Sequence, residues 1–267
     1  MLAAAVLAGC GGGDRAADVL AVEQAVRNSV EAENAGDVGR FLDLWTDAGL
    51  LSYDAGSRAD LEAGRGLLGT EHTEVRAFVR TDVEGDRAAA TLDARVEVGL
   101  YRMRYDLVRQ DGRWLLDGFR FMGPTPPAEG VPVVDVRAVE YAYEVDPTAL
   151  RGGDMALRFF GAGREQHELS LFALPEGPSR VDAVVALTTA AGTNLSVLPD
   201  GYRFLGHLAF ASPGDGLVYT LADPLPPGRY AMACFLPVGG LGPAGTPNQP
   251  GAEPHVARGM LADFTVG

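Results

Sequence analysis

The chain has few of the residues that build cross-linked or polycationic proteins. Of its 267 residues, two are cysteines, Cys10 and Cys234, and four are histidines. Two cysteines exclude a scaffold built from several disulfides. Lysine and arginine total 22 against 36 acidic residues, a net charge of −14, which argues against a nucleic acid or an anionic lipid surface as partner. Beyond the N-terminus, no apolar run is long enough to span a bilayer.

The N-terminus carries Cys10 at the end of the short apolar stretch MLAAAVLAGC, which three glycines follow. Its Leu-Ala-Gly-Cys end resembles the lipobox of bacterial lipoproteins. The resemblance implies cleavage before Cys10, a lipid on its sulfur, and a protein body held outside the cytoplasm, in the periplasm or at the cell surface. Residues 1–15 would then be signal and tether. The alternative is an unstructured apolar N-terminus.

The remaining chain divides into two halves with different patterns, and its 47% hydrophobic content is ample for two cores. Residues 122–134, MGPTPPAEGVPVV, hold four prolines and two glycines, which a helix cannot continue through. We therefore predict a domain over 16–123, a linker over 124–130 and a second domain over 131–267.

The first half begins with helical periodicity and then changes to alternation. Valines recur at three- and four-residue steps over 19–30, Asp37 can cap a second helix that includes Leu44 and Trp45, and Ser57 with Asp60 has capping-box spacing for a third. RAAATLDARVEV, residues 87–98, alternates apolar and polar residues as a strand does, and Asp111-Gly112 predicts a hairpin. The pattern predicts an α+β layer of helices on an antiparallel sheet.

These segments, with YDLVRQDGRWLLDGF, resemble the NTF2-like (SnoaL-like) family. The resemblance implies a cone of helices on a curved antiparallel sheet, often enclosing a pocket, and a homodimer formed through the open sheet face. Asp93, Tyr101 and Tyr105 are the candidate pocket residues. Asp93 shares its face with other charged residues, which also fits an ion-paired surface, and strand tyrosines are commonly core residues.

The second half consists of short apolar and aromatic runs separated by glycine and proline turns, which predicts a β-sandwich. VDAVVALTTAAG, residues 181–192, is the exception and predicts a helix inserted between strands. The soft and borderline metal donors of this half include His167, Cys234, His255 and Met260. Two imidazoles, a thiolate and a weak thioether form the donor set of a blue-copper electron-transfer centre. A copper site with this donor set would also explain why Cys234 has no cysteine partner.

The order His, Cys, His, Met and the flanking strands resemble the cupredoxin family of plastocyanin and azurin. The resemblance implies an all-β sandwich with one copper ion held by His167, Cys234, His255 and axial Met260, and a redox or copper-exchange protein partner. Two features depart from the small blue copper proteins. Twenty residues, 235–254, separate Cys234 from His255, and Glu168 stands where plastocyanin-like sites have an asparagine that braces the cysteine loop.

Three functions remain open from the sequence. The first is a membrane-anchored copper protein with a type-1-like site, serving electron transfer or copper handling. The second is a metal-free lipoprotein that binds a small apolar ligand or a protein through the NTF2-like pocket, with Cys234 a buried packing residue. The third is an NTF2-like extracytoplasmic enzyme. The pattern favours a redox carrier or binding protein over an enzyme.

Overall fold

The computed structural model describes residues 12–53, 57–64, 72–177, 179–191, 198–240 and 252–267. By their internal contacts these residues form two compact units. Unit 1 runs up to Arg95 and continues over Tyr101–Gly123, and unit 2 comprises Val96–Leu100 and Pro124–Gly267. The domain limits predicted from the sequence differ from this division in the placement of residues 96–100, and they stay predictions. No described helix is long and apolar enough to cross a membrane.

In the described residues of unit 1, four helices precede four strands. The helices are α1 (Gly12–Asn34), α2 (Val38–Leu42), α3 (Asp47–Ser52) and α4 (Arg58–Glu62). The strands are β1 (Thr73–Glu84), β2 (Arg87–Val96), β3 (Gly99–Gln110) and β4 (Arg113–Pro124), with β1–β2–β3 in order and β4 paired to β3. The mixed helix-and-sheet class predicted for this half is confirmed.

The helix caps of unit 1 match the sequence signals more closely than the helix lengths do. Asp37 caps α2 by accepting from the Arg40 N–H, and Ser57 forms the full capping box of α4 with Asp60. The prediction that Trp45 belongs to the second helix is wrong, because α2 ends at Leu42. A separate helix, α3, follows and was not predicted.

The strand predicted over residues 87–98 is present up to Val96. Glu97, at φ 52°, lies in a turn, so the prediction that residues 97–98 extend the strand is wrong. Asp111 and Gly112, at φ 49° and 77°, form the predicted hairpin turn between β3 and β4. Both residues need the left-handed conformation that this two-residue hairpin turn requires.

Unit 2 is built from two sheets and one helix. Its elements are β5 (Val133–Val139), β6 (Ala142–Glu144), β7 (Ala156–Gly161), β8 (His167–Leu174), α5 (Arg180–Ala191), β9 (Arg203–Ala211), β10 (Gly216–Leu221), β11 (Gly228–Ala233) and β12 (Leu261–Val266). One sheet has the order β10–β7–β5–β6 and the other β12–β11–β8–β9. Tyr143 in β6 donates to the Glu168 carbonyl in β8, which joins the two sheets. The predicted two-sheet class and the inserted helix are both present.

The strand β8 lies at the centre of unit 2 and positions the site. Of its eight residues only Ala173 is not fully buried, because β11 and β9 pair with its two edges and other elements cover its faces. Helix α5 covers part of it, where Phe172 and Leu174 pack with Ala183 and Leu187. A strand buried on all sides places its first residue, His167, inside the core.

Candidate metal centre

His167 begins β8 and is fully buried. Its Nδ1 lies 3.2 Å from Nδ1 of His255, and its Nε2 is buried with no hydrogen-bond partner. Gly163 lies against that nitrogen, since a Cβ there would approach Nε2 to 3.1 Å. Burial, and next the neighbouring His255, lowers the pKa of His167 to about 4. The ring is therefore neutral at physiological pH and can offer a lone pair.

Cys234 follows the end of β11 and is fully buried with a free thiol. Its Sγ lies 3.3 Å from Nδ1 of His255 and accepts the backbone N–H of Glu168 at 3.4 Å. Burial raises the pKa of the thiol to about 12. A thiol in this environment stays protonated at neutral pH unless a cation displaces the proton.

His255 opens the 3-10 turn His255–Arg258, and the chain next to it is hydrogen-bonded directly to the chain around Cys234. The His255 N–H donates to the Leu236 carbonyl at 2.9 Å, and the Val256 N–H donates to the Cys234 carbonyl at 2.8 Å. The Val238 N–H continues the pattern to the Glu253 carbonyl. We call these paired segments, 234–238 and 253–256, the stem.

The backbone of Met260 is hydrogen-bonded to both Cys234 and His255. Its N–H donates to the His255 carbonyl at 3.1 Å, and its carbonyl accepts from the Cys234 N–H at 3.3 Å. The Met260 side chain is fully buried. Its role as axial ligand stays a prediction.

Glu168 takes the place in which the sequence resemblance expected an asparagine. Its carboxylate Oε1 accepts the backbone N–H of Phe235 at 2.8 Å and the hydroxyl of Ser170 at 3.2 Å. Because its own N–H also bonds Cys234 Sγ, one residue fixes both the sulfur and the residue that follows it. A carboxylate thus braces the cysteine segment here.

The donor atoms of His167, Cys234 and His255 all lie within 4.8 Å of one another and all three residues are buried. Donor atoms that share one ion at bond lengths of about 2.0 to 2.3 Å lie roughly 3.2 to 3.7 Å apart. The 3.2 Å between the imidazole nitrogens and the 3.3 Å from nitrogen to sulfur are close to that spacing. Two of the three donor pairs therefore have the spacing of ligands to a single transition-metal ion, and the third pair lies within 4.8 Å.

The candidate pocket residues of unit 1 do not converge in the same way. Tyr105 is a core residue, with its ring 6.1 Å from Trp45 and 5.2 Å from Phe119. Asp93 accepts two hydrogen bonds from the Arg102 guanidinium. Tyr101 packs on another aromatic ring, Phe121, with centroids 5.3 Å apart.

A cleft of about 480 Å³ in unit 1 is lined by residues other than these three. Charged side chains dominate its lining: Asp82, Glu84, Arg87, Arg104, Asp106 and Asp117. None of the three candidate pocket residues lines this cleft, and their role stays a prediction. Cys10, the predicted lipid-attachment residue, lies outside the described residues.

No protein-family model matches the chain, and no curated protein does. The structure has weak similarity to an NTF2-like protein of unknown function from Shewanella baltica, at 11% identity, covering 42% of this chain and 97% of that one, with a TM-score of 0.32. An NTF2-like protein of unknown function from Pseudomonas putida shows 17% identity, covering 43% and 91%, with a TM-score of 0.33.

Auracyanin B, a cupredoxin, is also similar, at 22% identity, covering 54% of this chain and 91% of that one, with a TM-score of 0.31. Likenesses at these scores carry no functional conclusion. The metal centre is inferred from side-chain geometry.

Two features of the site were not predicted. Glu165, two residues before His167, contacts the other histidine: its Oε2 lies 2.9 Å from His255 Nε2. His207, which the sequence assigned to no motif, bonds Ser170 Oγ through Nδ1 at 2.8 Å and so extends the hydrogen bonds around Glu168. The only sequence signal for Glu165 was its place in REQHE, beside a candidate ligand.

Proposed function

We propose that unit 2 binds one copper ion through His167, Cys234 and His255, with Met260 as a weak axial ligand. The observation that carries the proposal is the convergence of two imidazole nitrogens and a thiol sulfur in a fully buried position. Within the cluster, His255 Nδ1 faces both His167 Nδ1 at 3.2 Å and Cys234 Sγ at 3.3 Å, a mutual approach that one shared ion would explain.

The donor types support copper over harder cations. Thiolate and imidazole are soft and borderline ligands, whereas magnesium and calcium require oxygen. The carboxylates nearest the site already accept hydrogen bonds: Glu168 accepts from Phe235 N–H, and Glu165 accepts from Gly239 N–H and lies 2.9 Å from the outer nitrogen of His255. Zinc also binds cysteine and histidine, so the experiment must separate copper from zinc.

We further propose that the centre carries single electrons. A bound copper ion would supply a Cu(II)/Cu(I) couple that exchanges one electron with a redox protein partner. The stem supports this role over copper delivery, because backbone hydrogen bonds, and not the ion alone, hold Cys234 and His255 together. A preorganised site suits electron transfer, whereas a delivery site must open to release its ion.

The cellular setting belongs to the same proposal. A lipid on Cys10 would anchor the protein to the outer side of a membrane. Lipidation is tested by the intact mass of the membrane-extracted protein and of its Cys10→Ser variant. A homodimer through the sheet of unit 1 stays a prediction, tested by light scattering.

The deciding experiment is an anaerobic Cu(II) titration of the purified protein followed by visible absorption. We expect an intense thiolate-to-copper band that saturates at one ion per chain and is absent in Cys234→Ser. His72→Gln is the matched control, since His72 is exposed outside the site, and it should titrate like wild type. Competition with Zn(II) reports selectivity. Failure of the wild type to bind copper would make Cys234 a packing residue and refute the proposal.

A further inference from the structure

One carboxylate oxygen contacts both the second histidine and the segment that follows the cysteine. Oε2 of Glu165 lies 2.9 Å from His255 Nε2 and accepts the backbone N–H of Gly239 at 2.7 Å. We propose that Glu165 is the positioning residue of this centre, which sets the tautomer of His255 and aims its Nδ1 lone pair at the site.

The tautomer follows from the hydrogen-bonding chemistry of the two partners. An ionised carboxylate only accepts, so the hydrogen of a neutral His255 ring must lie on Nε2. Nδ1 is then unprotonated, and it is the atom 3.3 Å from Cys234 Sγ and 3.2 Å from His167 Nδ1. An outer carboxylate that orients a ligand histidine also raises its basicity toward the metal.

Glu165 is well placed for this role because it belongs to the segment that carries the other histidine. It precedes His167 by two residues, in the turn before β8, yet contacts a residue 90 positions away. The same oxygen holds Gly239, just past the stem. One side chain therefore connects all three segments of the site.

The two imidazoles differ in this respect. His255 is fully buried with its outer nitrogen on a carboxylate, and that carboxylate remains 22% exposed. The outer nitrogen of His167 has no partner. The carboxylate contact thus distinguishes His255 from His167, and the Tyr141 ring also packs on His255, with centroids 5.4 Å apart.

The tautomer can be measured in the metal-free protein, whereas the effect on metal affinity rests on the proposed function. Two substitutions separate the contribution of the negative charge of Glu165 from that of its hydrogen-bond acceptor. Glu165→Gln keeps an oxygen that can accept both hydrogen bonds but removes the charge, and Glu165→Ala removes the acceptor. Glu176→Gln is the control, an exposed glutamate of the same unit.

The first readout is the ¹⁵N shift pattern of the His255 ring in metal-free protein, and the second is the dissociation constant for Cu(II). In wild type, Glu165→Gln and the control, we expect protonated Nε2 and unprotonated Nδ1. In Glu165→Ala we expect a mixture of tautomers and affinity weaker by about 10- to 100-fold. We expect Glu165→Gln to lose less than tenfold.

Three results would overturn the inference. One is a Glu165→Ala protein whose tautomer matches the control. Another is equal loss of copper affinity in Glu165→Gln and Glu165→Ala, which would assign the effect to charge. If Glu165→Ala does not fold, Glu165→Asp replaces it, because it keeps the charge but withdraws the oxygen, and an unchanged tautomer there counts against positioning. If wild type binds no copper, the proposed function fails while the tautomer comparison still decides the role of Glu165.

Discussion

The thiol of Cys234 should be nearly inert in the metal-free folded protein. Only the thiolate attacks electrophiles and disulfides. Burial raises the pKa of this thiol to about 12, so the thiolate fraction at pH 8 is about 1 in 10,000. An ordinary cysteine, with a pKa of about 8.5, is roughly one quarter ionised at that pH. Ionisation alone therefore slows the reaction by roughly 2,000-fold, and full burial adds a barrier to access.

The assay is the rate of modification by a small methanethiosulfonate reagent, followed by mass spectrometry. The Cys10→Ser variant makes Cys234 the only thiol of the chain. The rate should rise about tenfold for each pH unit between pH 7 and 10, whereas a free model thiol levels off above its pKa of about 8.5. The same protein in denaturant should react like the model thiol.

A folded protein that reacts within tenfold of the model thiol at pH 8 would refute this reasoning. Such a rate would mean that the thiol is either solvent-accessible or already ionised. The first case would contradict the burial of Cys234, and the second would mean that copper uptake needs no loss of a thiol proton.

Two further predictions use independent parts of the molecule. Copper uptake at pH 8 should release about one proton per ion. The Cys234 thiol, whose pKa burial raises to about 12, must deprotonate, whereas His167, whose pKa is lowered to about 4, is already neutral. Calorimetry in buffers of different ionisation enthalpy measures the number of protons released, and zero release would contradict the prediction. Gly49→Ala should destabilise unit 1 by about 1 to 3 kcal/mol in urea unfolding, since the new Cβ would lie 2.4 Å from the Leu116 carbonyl oxygen. Gly39→Ala is the control, because its Cβ would make only a 3.8 Å contact, and it should be neutral or stabilising. Equal effects of the two substitutions would refute the steric argument.

Residue type and order singled out three residues that the structure places within 4.8 Å of one another, and their role as metal ligands stays a prediction. Soft donors are rare in this chain, so the pairing of its one described cysteine with histidines of the same half left few combinations. Glu165 could not be predicted in the same way. Acidic residues are common here, and nothing local indicates that this one contacts a ring 90 positions further along the chain.

In unit 1 the sequence predicted local features better than pairings. Capping by Asp37 and Ser57 depends on neighbours three residues away, which the sequence displays. The helix α3 was missed because six residues, DAGLLS, are too short to show a period. The partner of Asp93 depends on the register between β2 and β3, and alternation alone does not set register.

The stem has a consequence for how this protein can vary. Since Cys234 and His255 are held together by backbone hydrogen bonds at the base of the stem, the number of residues beyond its far end does not set their separation. The separation of these two side chains and the length of the intervening sequence are therefore independent variables. A chain with more or fewer residues between 240 and 252 is expected to keep Cys234 and His255 at the same separation.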